Sequence, residues 1–260
     1  MRSHNSVTNL LLIMLAVTIV ASAATLYRQG QQSQSISRQH TPRSKDREGV
    51  DFESQFPTTD FDAPEPTDPE QRAKRKAKNS HYDNLGLVSK QPSESISETV
   101  VENHWQDGLE GLPVNQSDAI VIGEATNART FLSNDKKGVY TEFTLRVDEV
   151  LKSPDSALAL GDTLCVDRPG GFVRYSDGHK ILYRFFGLNM LRPNARYLLF
   201  LSDNDKGPNY RVLTGYSLVT GSVFPLDVAP QFDTYKGMDE SSFLNAVHDA
   251  IAKPSPPVFH

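Results

Sequence analysis

The stretch "VYTEFTLRVDEVL", Val139 to Leu151, decides the fold class. Val139, Thr141, Phe143, Leu145 and Val147 fall on one face and Tyr140, Glu142, Thr144, Arg146 and Asp148 on the other. That period of two marks a strand with one buried face. The alternation is lost near Glu149, where a bulge is expected. Upstream, "AIVIGEA" (Ala119 to Ala125) is apolar on both faces and predicts a more central strand. Between the two, "SNDKKG" (Ser133 to Gly138) has the composition of a polar hairpin loop.

Working outward, further short strands are predicted at "TLCVD" (Thr163 to Asp167), "FVRY" (Phe172 to Tyr175), "ILYRFF" (Ile181 to Phe186), "RYLLFL" (Arg196 to Leu201), "YRVLT" (Tyr210 to Thr214) and "SVFPL" (Ser222 to Leu226). Glycine-containing turns separate them and no helical pattern intervenes. This argues against a parallel βαβ sheet and for a mainly β fold, an antiparallel barrel or sandwich. One helix closes the domain. Asp239 can cap it, Phe243, Val247, Ala250 and Ile251 form its apolar stripe, and "KPSPP" ends it. Trp105 and Leu112, ahead of the first strand, are expected to cover a sheet edge. The β domain is placed at residues 103–252, followed by a disordered tail at 253–260.

Two very different segments precede that domain. Residues 10 to 27, "LLLIMLAVTIVASAATLY", carry no charge and as a helix would span about 27 Å, enough for most of a bilayer core. Ala21 and Ala23 ahead of Ala24 form a possible signal-peptidase site. Residues 1–27 are thus expected to be either a single-span membrane anchor, which is put first, or a cleaved leader. In both cases the chain is exported, facing the periplasm or exterior or released there. From Arg28 to Val100, only eleven positions are aliphatic or aromatic, too few to offset the entropy of ordering the backbone, and residues 28–102 are expected to form a disordered charged tether. Glu48 to Glu70 holds eight carboxylates and no Lys or Arg, and "RAKRKAK" then supplies Arg72, Lys74, Arg75, Lys76 and Lys78. This block is either a polybasic site for anionic lipid or polymer, or one half of a self-attracting linker; the linker reading is preferred.

The succession "SDAIVIGEA", "LSNDKKGVYTEFTLRVDEVLK", "GDTL", "PGG", "RYLLFL", "LTGYSL", "FPLD", from Ser117 to Asp227, resembles a group of bacterial exported proteins that carries no activity over to this chain. More loosely, a strand ending in "EVLK", a "GD" turn and "RYLLFL" is similar to the oligonucleotide/oligosaccharide-binding (OB) barrel of netrin-like and metalloprotease-inhibitor-like domains. That resemblance implies an OB-like barrel. Those domains usually carry paired cysteines, whereas Cys165 is the only one here, which sets the inhibitor role aside.

Composition and motifs narrow the chemistry. With 27 basic and 32 acidic residues the net charge is -5, and no specific nucleic-acid partner is expected. A single cysteine excludes a disulfide framework and multi-cysteine zinc sites. Cys165, between Leu164 and Val166, reads as a core residue. "GYSLV" around Ser217 lacks the second glycine of a nucleophile elbow. His104, His179 and His248 are isolated, and "SNDKKG" has too few carboxylates for a calcium loop. No catalytic residue, metal or cofactor is therefore assigned. The most suggestive stretch is Arg168 to Tyr197, in which six basic residues face one acid with six aromatics between them. Arg168, Arg174, Tyr175, His179, Lys180, Tyr183 and Arg184 are nominated as a surface for an anionic polymer, glycan or envelope protein. The structural alternative makes the aromatics core and the arginines decoration. A structural or assembly role in the envelope, and behind it an unrecognised hydrolase, are the competing functions.

Overall fold

A strand stands at each predicted position in the computed structural model, which describes residues 56–93, 96–154, 158–203 and 209–253. In chain order the elements are β1 (Thr58–Asp60), α1 (Pro69–Asn79), β2 (Glu98–Val101), β3 (Ala119–Leu132), β4 (Val139–Lys152), β5 (Thr163–Pro169), β6 (Gly171–Arg174), β7 (Lys180–Phe185), β8 (Arg196–Asp203), β9 (Tyr210–Val219), β10 (Ser222–Pro225) and α2 (Glu240–Ala252). The apolar stretch 10–27 with Ala21, Ala23 and Ala24, residues 28–55 of the expected tether and most of the tail lie outside the described residues. Among the described residues no helix is long and apolar enough to cross a membrane.

β3 and β4 form the long central hairpin, and the loop 133–138 joins them. Their register slips by one residue on β4 between the pairs Ile122↔Glu149 and Gly123↔Val147, the bulge expected near Glu149. Pairing then runs β3-β4-β5-β9-β8 and returns to β3, so that five strands close a ring, with β10 on the last residues of β9. Inside it lie Val121, Phe143, Leu145, Val147, Leu164, Val166, Leu199 and Leu201, and Phe143, Leu145 and Val147 belong to the alternating face predicted for β4. β3 and β8 are buried on their outer side too, where Ile120, Ile122, Leu198 and Phe200 meet Phe243 and Val247 of α2. The helix begins where the Asp239 carboxylate accepts from the Ser242 amide at 3.0 Å. Ala250 and Ile251 complete its half-buried stripe, and Trp105 and Leu112 join the same cluster.

Two expectations are corrected. The sheets are mixed rather than antiparallel: β5 runs parallel to β9, β1 to β6 and β2 to β7. Nor is the whole segment before residue 103 a disordered tether, since residues 56–101 carry two strands and a helix. β1 and β2 add to the two edges of the β6–β7 hairpin, making a second, four-stranded sheet. Strand addition recruits main-chain hydrogen bonds, which a count of apolar side chains does not see. Under this sheet Val173, Ile181, Tyr183 and Phe185 form a third cluster that Leu87 and Val88, also from the expected tether, help to close.

Candidate functional site

The basic block of the sequence is folded as α1. Asp68 caps it, accepting from the Glu70 amide at 3.1 Å; Pro69 stands in its first turn, and Lys76 and Lys78 in its last turn suit the helix dipole. None of its residues is buried. A helix polar on all sides has no apolar stripe to dock with, and α1 is held on the outer face of β3, β4 and β5 by charge.

Two side chains do most of this. The Arg75 guanidinium lies 3.6 Å from the centre of the Phe131 ring. It also donates to Glu142 Oε1 at 2.5 Å and to the Tyr140 hydroxyl at 3.1 Å. One turn on, Lys78 Nζ stands 2.8 Å from Glu142, 3.2 Å from Asp167 Oδ2 and 3.9 Å from Cys165 Sγ. The Tyr140 hydroxyl, in turn, donates to Asn79 at 2.7 Å. The 3-10 turn Ser80–Tyr82 then stacks Tyr82 on Tyr140 at 4.0 Å and points its hydroxyl at Asp167 Oδ1, while Arg211 lies over the Tyr82 ring.

Burial sets the titration of these groups. It pushes the Tyr82 hydroxyl well up, and the charge of Asp167 adds to the shift. Tyr140 is raised by burial against the pull of Arg75. The Cys165 thiol is also raised by burial, which outweighs the Lys78 ammonium, so it rests as a protonated thiol rather than a nucleophile. Burial works against the charge on Arg75, but the hydrogen bond and attraction of Glu142 prevail and raise its pKa. Beside these contacts α1 and the sheet enclose a cleft of about 860 Å³. Lys74, Arg75, Lys78 and Arg129 line it against one carboxylate, Glu142, with Phe131, Cys165 and Asn209 completing the wall. Among the described residues no group of three or more His, Cys, Asp and Glu side chains stands ready to hold a metal ion.

The residues nominated from the sequence do not form one surface. Arg168 is fully buried: its Nη2 donates to Asp227 Oδ2 at 2.5 Å, with Asn189 and Thr214 completing the shell of that carboxylate. It therefore belongs to the core, where a carboxylate partner makes burial of its charge tolerable. Tyr175 and Tyr183 are buried with their hydroxyls 2.7 Å apart, Tyr175 donating to the Ser89 carbonyl. Arg174 is paired with Asp60 at 2.6 Å and Arg184 with Glu98 at 2.6 Å; His179 Nε2 meets the Ile96 carbonyl, and Lys180 is exposed at the start of β7. Asp60, Ser89, Ile96 and Glu98 all come from the segment expected to be disordered, which is why the stretch looked uncompensated in the sequence. The missed signal was the run Asp68, Pro69, Glu70 just ahead of the basic block, a helix start.

No family model matches this chain, and no curated protein matches it.

Proposed function

We propose that this chain is an exported, non-enzymatic binding module of the cell envelope, in which an OB-like barrel takes an anionic glycan polymer in the cleft beneath α1. The charge of that cleft carries the reading: four cations against one carboxylate. Arg75 and Lys78 are already held by Glu142 and Asp167. Among the described residues Lys74 is engaged by its exposed i,i+4 partner Glu70 alone, a weak hold, so Lys74 and Arg129 are the cations an incoming anion meets. The position of the cleft supports the same reading. If β3, β4, β5, β8 and β9 are the five strands of an OB-like barrel, β4 and β5 are its second and third, the face on which such barrels bind saccharides and single strands. Export rests on the charge-free run at residues 10–27.

Titration of the full chain with polygalacturonate, and with neutral dextran as control, tests the site. Binding is expected for the polyanion alone, weaker at higher salt, and at least tenfold weaker in a Lys74→Glu/Arg129→Glu variant. Equal affinity of that variant, or no binding by the parent chain, defeats the reading. Fractionation of the host with N-terminal sequencing tests the location: a soluble chain starting at Ala24 means a leader, and an intact chain in a salt-resistant membrane pellet means an anchor. An intact chain in the cytosol would end the export reading.

A further inference from the structure

A second cavity, of about 310 Å³, adjoins the cleft under α1. The two share Pro66, Arg75, Thr130 and Phe131 in their linings. Their other walls follow one another along the same two stretches of backbone. At β1, Pro57 and Thr58 line the cleft, and Thr59, Asp60 and Phe61 line the cavity. At β3, Arg129 lines the cleft, Leu132 lines the cavity, and the two residues between them line both. Thr130 Oγ1 donates to the Pro57 carbonyl at 2.8 Å and ties the two stretches side by side. Both advance in the same order, so cleft and cavity are successive lengths of one groove. Its floor from Arg129 to Leu132 runs about 10 Å at the rise of a strand. α1 stands over the junction with a flank to each side: Lys74 and Lys78 line the cleft, Arg72, Lys76 and Asn79 the cavity, and Arg75 both.

Arg75, at the junction, uses only part of its guanidinium. Both of its hydrogen bonds leave from Nη1, and among the described residues Nε and Nη2 have no hydrogen-bond partner. Those two nitrogens share one edge of the group, and that edge is a fork for a carboxylate. Beyond the junction Glu65 is shared by Lys76 at 3.4 Å and Arg72 at 3.6 Å, all three of them exposed, which is a weak hold on two cations by one carboxylate. Asp60 is already paired with Arg174, and Lys136 with Asp62. Cations thus recur along the groove, with Lys74 and Arg129 in the cleft, Arg75 at the junction and Lys76 beyond it. A single small anion needs one of these positions, whereas a polyanion laid along the groove meets them all. Resting on the anionic-glycan reading above, we infer that the groove binds several consecutive residues of that polymer, with one carboxylate on the open edge of Arg75 and others at Lys74 and Lys76. Recognition is then of a length of chain rather than of one sugar.

Isothermal titration of the full chain with galacturonate dimer, tetramer, hexamer and octamer, and with oligothymidylate as a polyanion of another kind, tests this. The tetramer should bind at least tenfold tighter than the dimer, with little gain beyond the hexamer. Lys76→Glu should weaken the hexamer at least fivefold and leave the dimer within twofold, because the dimer settles in the larger cleft alone. Lys76→Gln should act in the same direction and less. Arg75→Lys keeps a charge opposite Glu142 but removes the fork, and should cost the hexamer at least fivefold while hydrogen-exchange protection of residues 69–82 is retained. If that protection is lost, the Lys76 variants carry the test. Equal affinity for all four lengths, with the Lys74→Glu/Arg129→Glu variant still weakened, would leave the cleft as the site and overturn the continuous groove. An equal loss on dimer and hexamer in Lys76→Glu, or tighter binding of oligothymidylate than of the hexamer, would overturn it as well. A parent chain that binds no oligomer and no polygalacturonate defeats both the groove and the reading on which it rests.

Discussion

The Arg168–Asp227 pair shows how much a single buried charge depends on its partner. Both side chains are fully shielded from water, and Arg168 Nε has no hydrogen-bond partner among the described residues. Asp227→Ala is expected to cost about 3–5 kcal/mol, the penalty of an uncompensated buried cation, read as a lower urea midpoint. The double variant Arg168→Met/Asp227→Leu should cost less, because it leaves no charge behind. The alternating residues of β4 could be read from the sequence because each one's burial follows from its neighbours at i±2. Arg168 could not. Its partner lies 59 residues away, and an arginine beside glycines and aromatics reads equally well as a solvent-facing cation.

Among the elements, α1 stands apart as a helix fastened by ion pairs rather than by apolar burial. Raising ionic strength should therefore loosen it while the ring stays folded: amides of residues 69–82 should lose hydrogen-exchange protection in molar salt, and those of β3 and β8 should not. A substitution on the other side of the contact should do the same without salt. A Cβ at Gly138 would come within 2.0 Å of the Tyr82 carbonyl oxygen, so Gly138→Ala should displace the turn that follows α1. Unchanged protection of residues 69–82 in that variant would show that the segment is held otherwise. The strands and α2 were legible because each carries a periodic apolar signal. β1, β2 and α1 were not, since two three- or four-residue edge strands and an all-polar helix take their order from backbone pairing and charges on another element.

For the molecule as a whole, buried tyrosine hydroxyls set the alkaline limit. Burial raises the pKa values of Tyr82, Tyr140, Tyr175 and Tyr216 above their ordinary value of 10.0. In the unfolded chain these groups lose their protons near that value, while in the folded chain they keep them. Their contribution is thus complete below pH 10 and is lost as pH rises from there towards the folded values. Thermal melts should show a steady fall in Tm from pH 10 upward that begins before the absorbance of phenolate does. The ring also has one short join. Among the described residues β5 meets β9 through two residue pairs, Val166↔Tyr210 and Asp167↔Arg211, in parallel, whereas β3 and β4 are linked by a tight local loop. Loop entropy must be lost over the intervening β6, β7 and β8 before that join gains anything. Refolding should consequently pass quickly to the β3–β4 hairpin and wait on the closure of β9 against β5, so that the slowest step of this chain's folding is the shutting of its own ring.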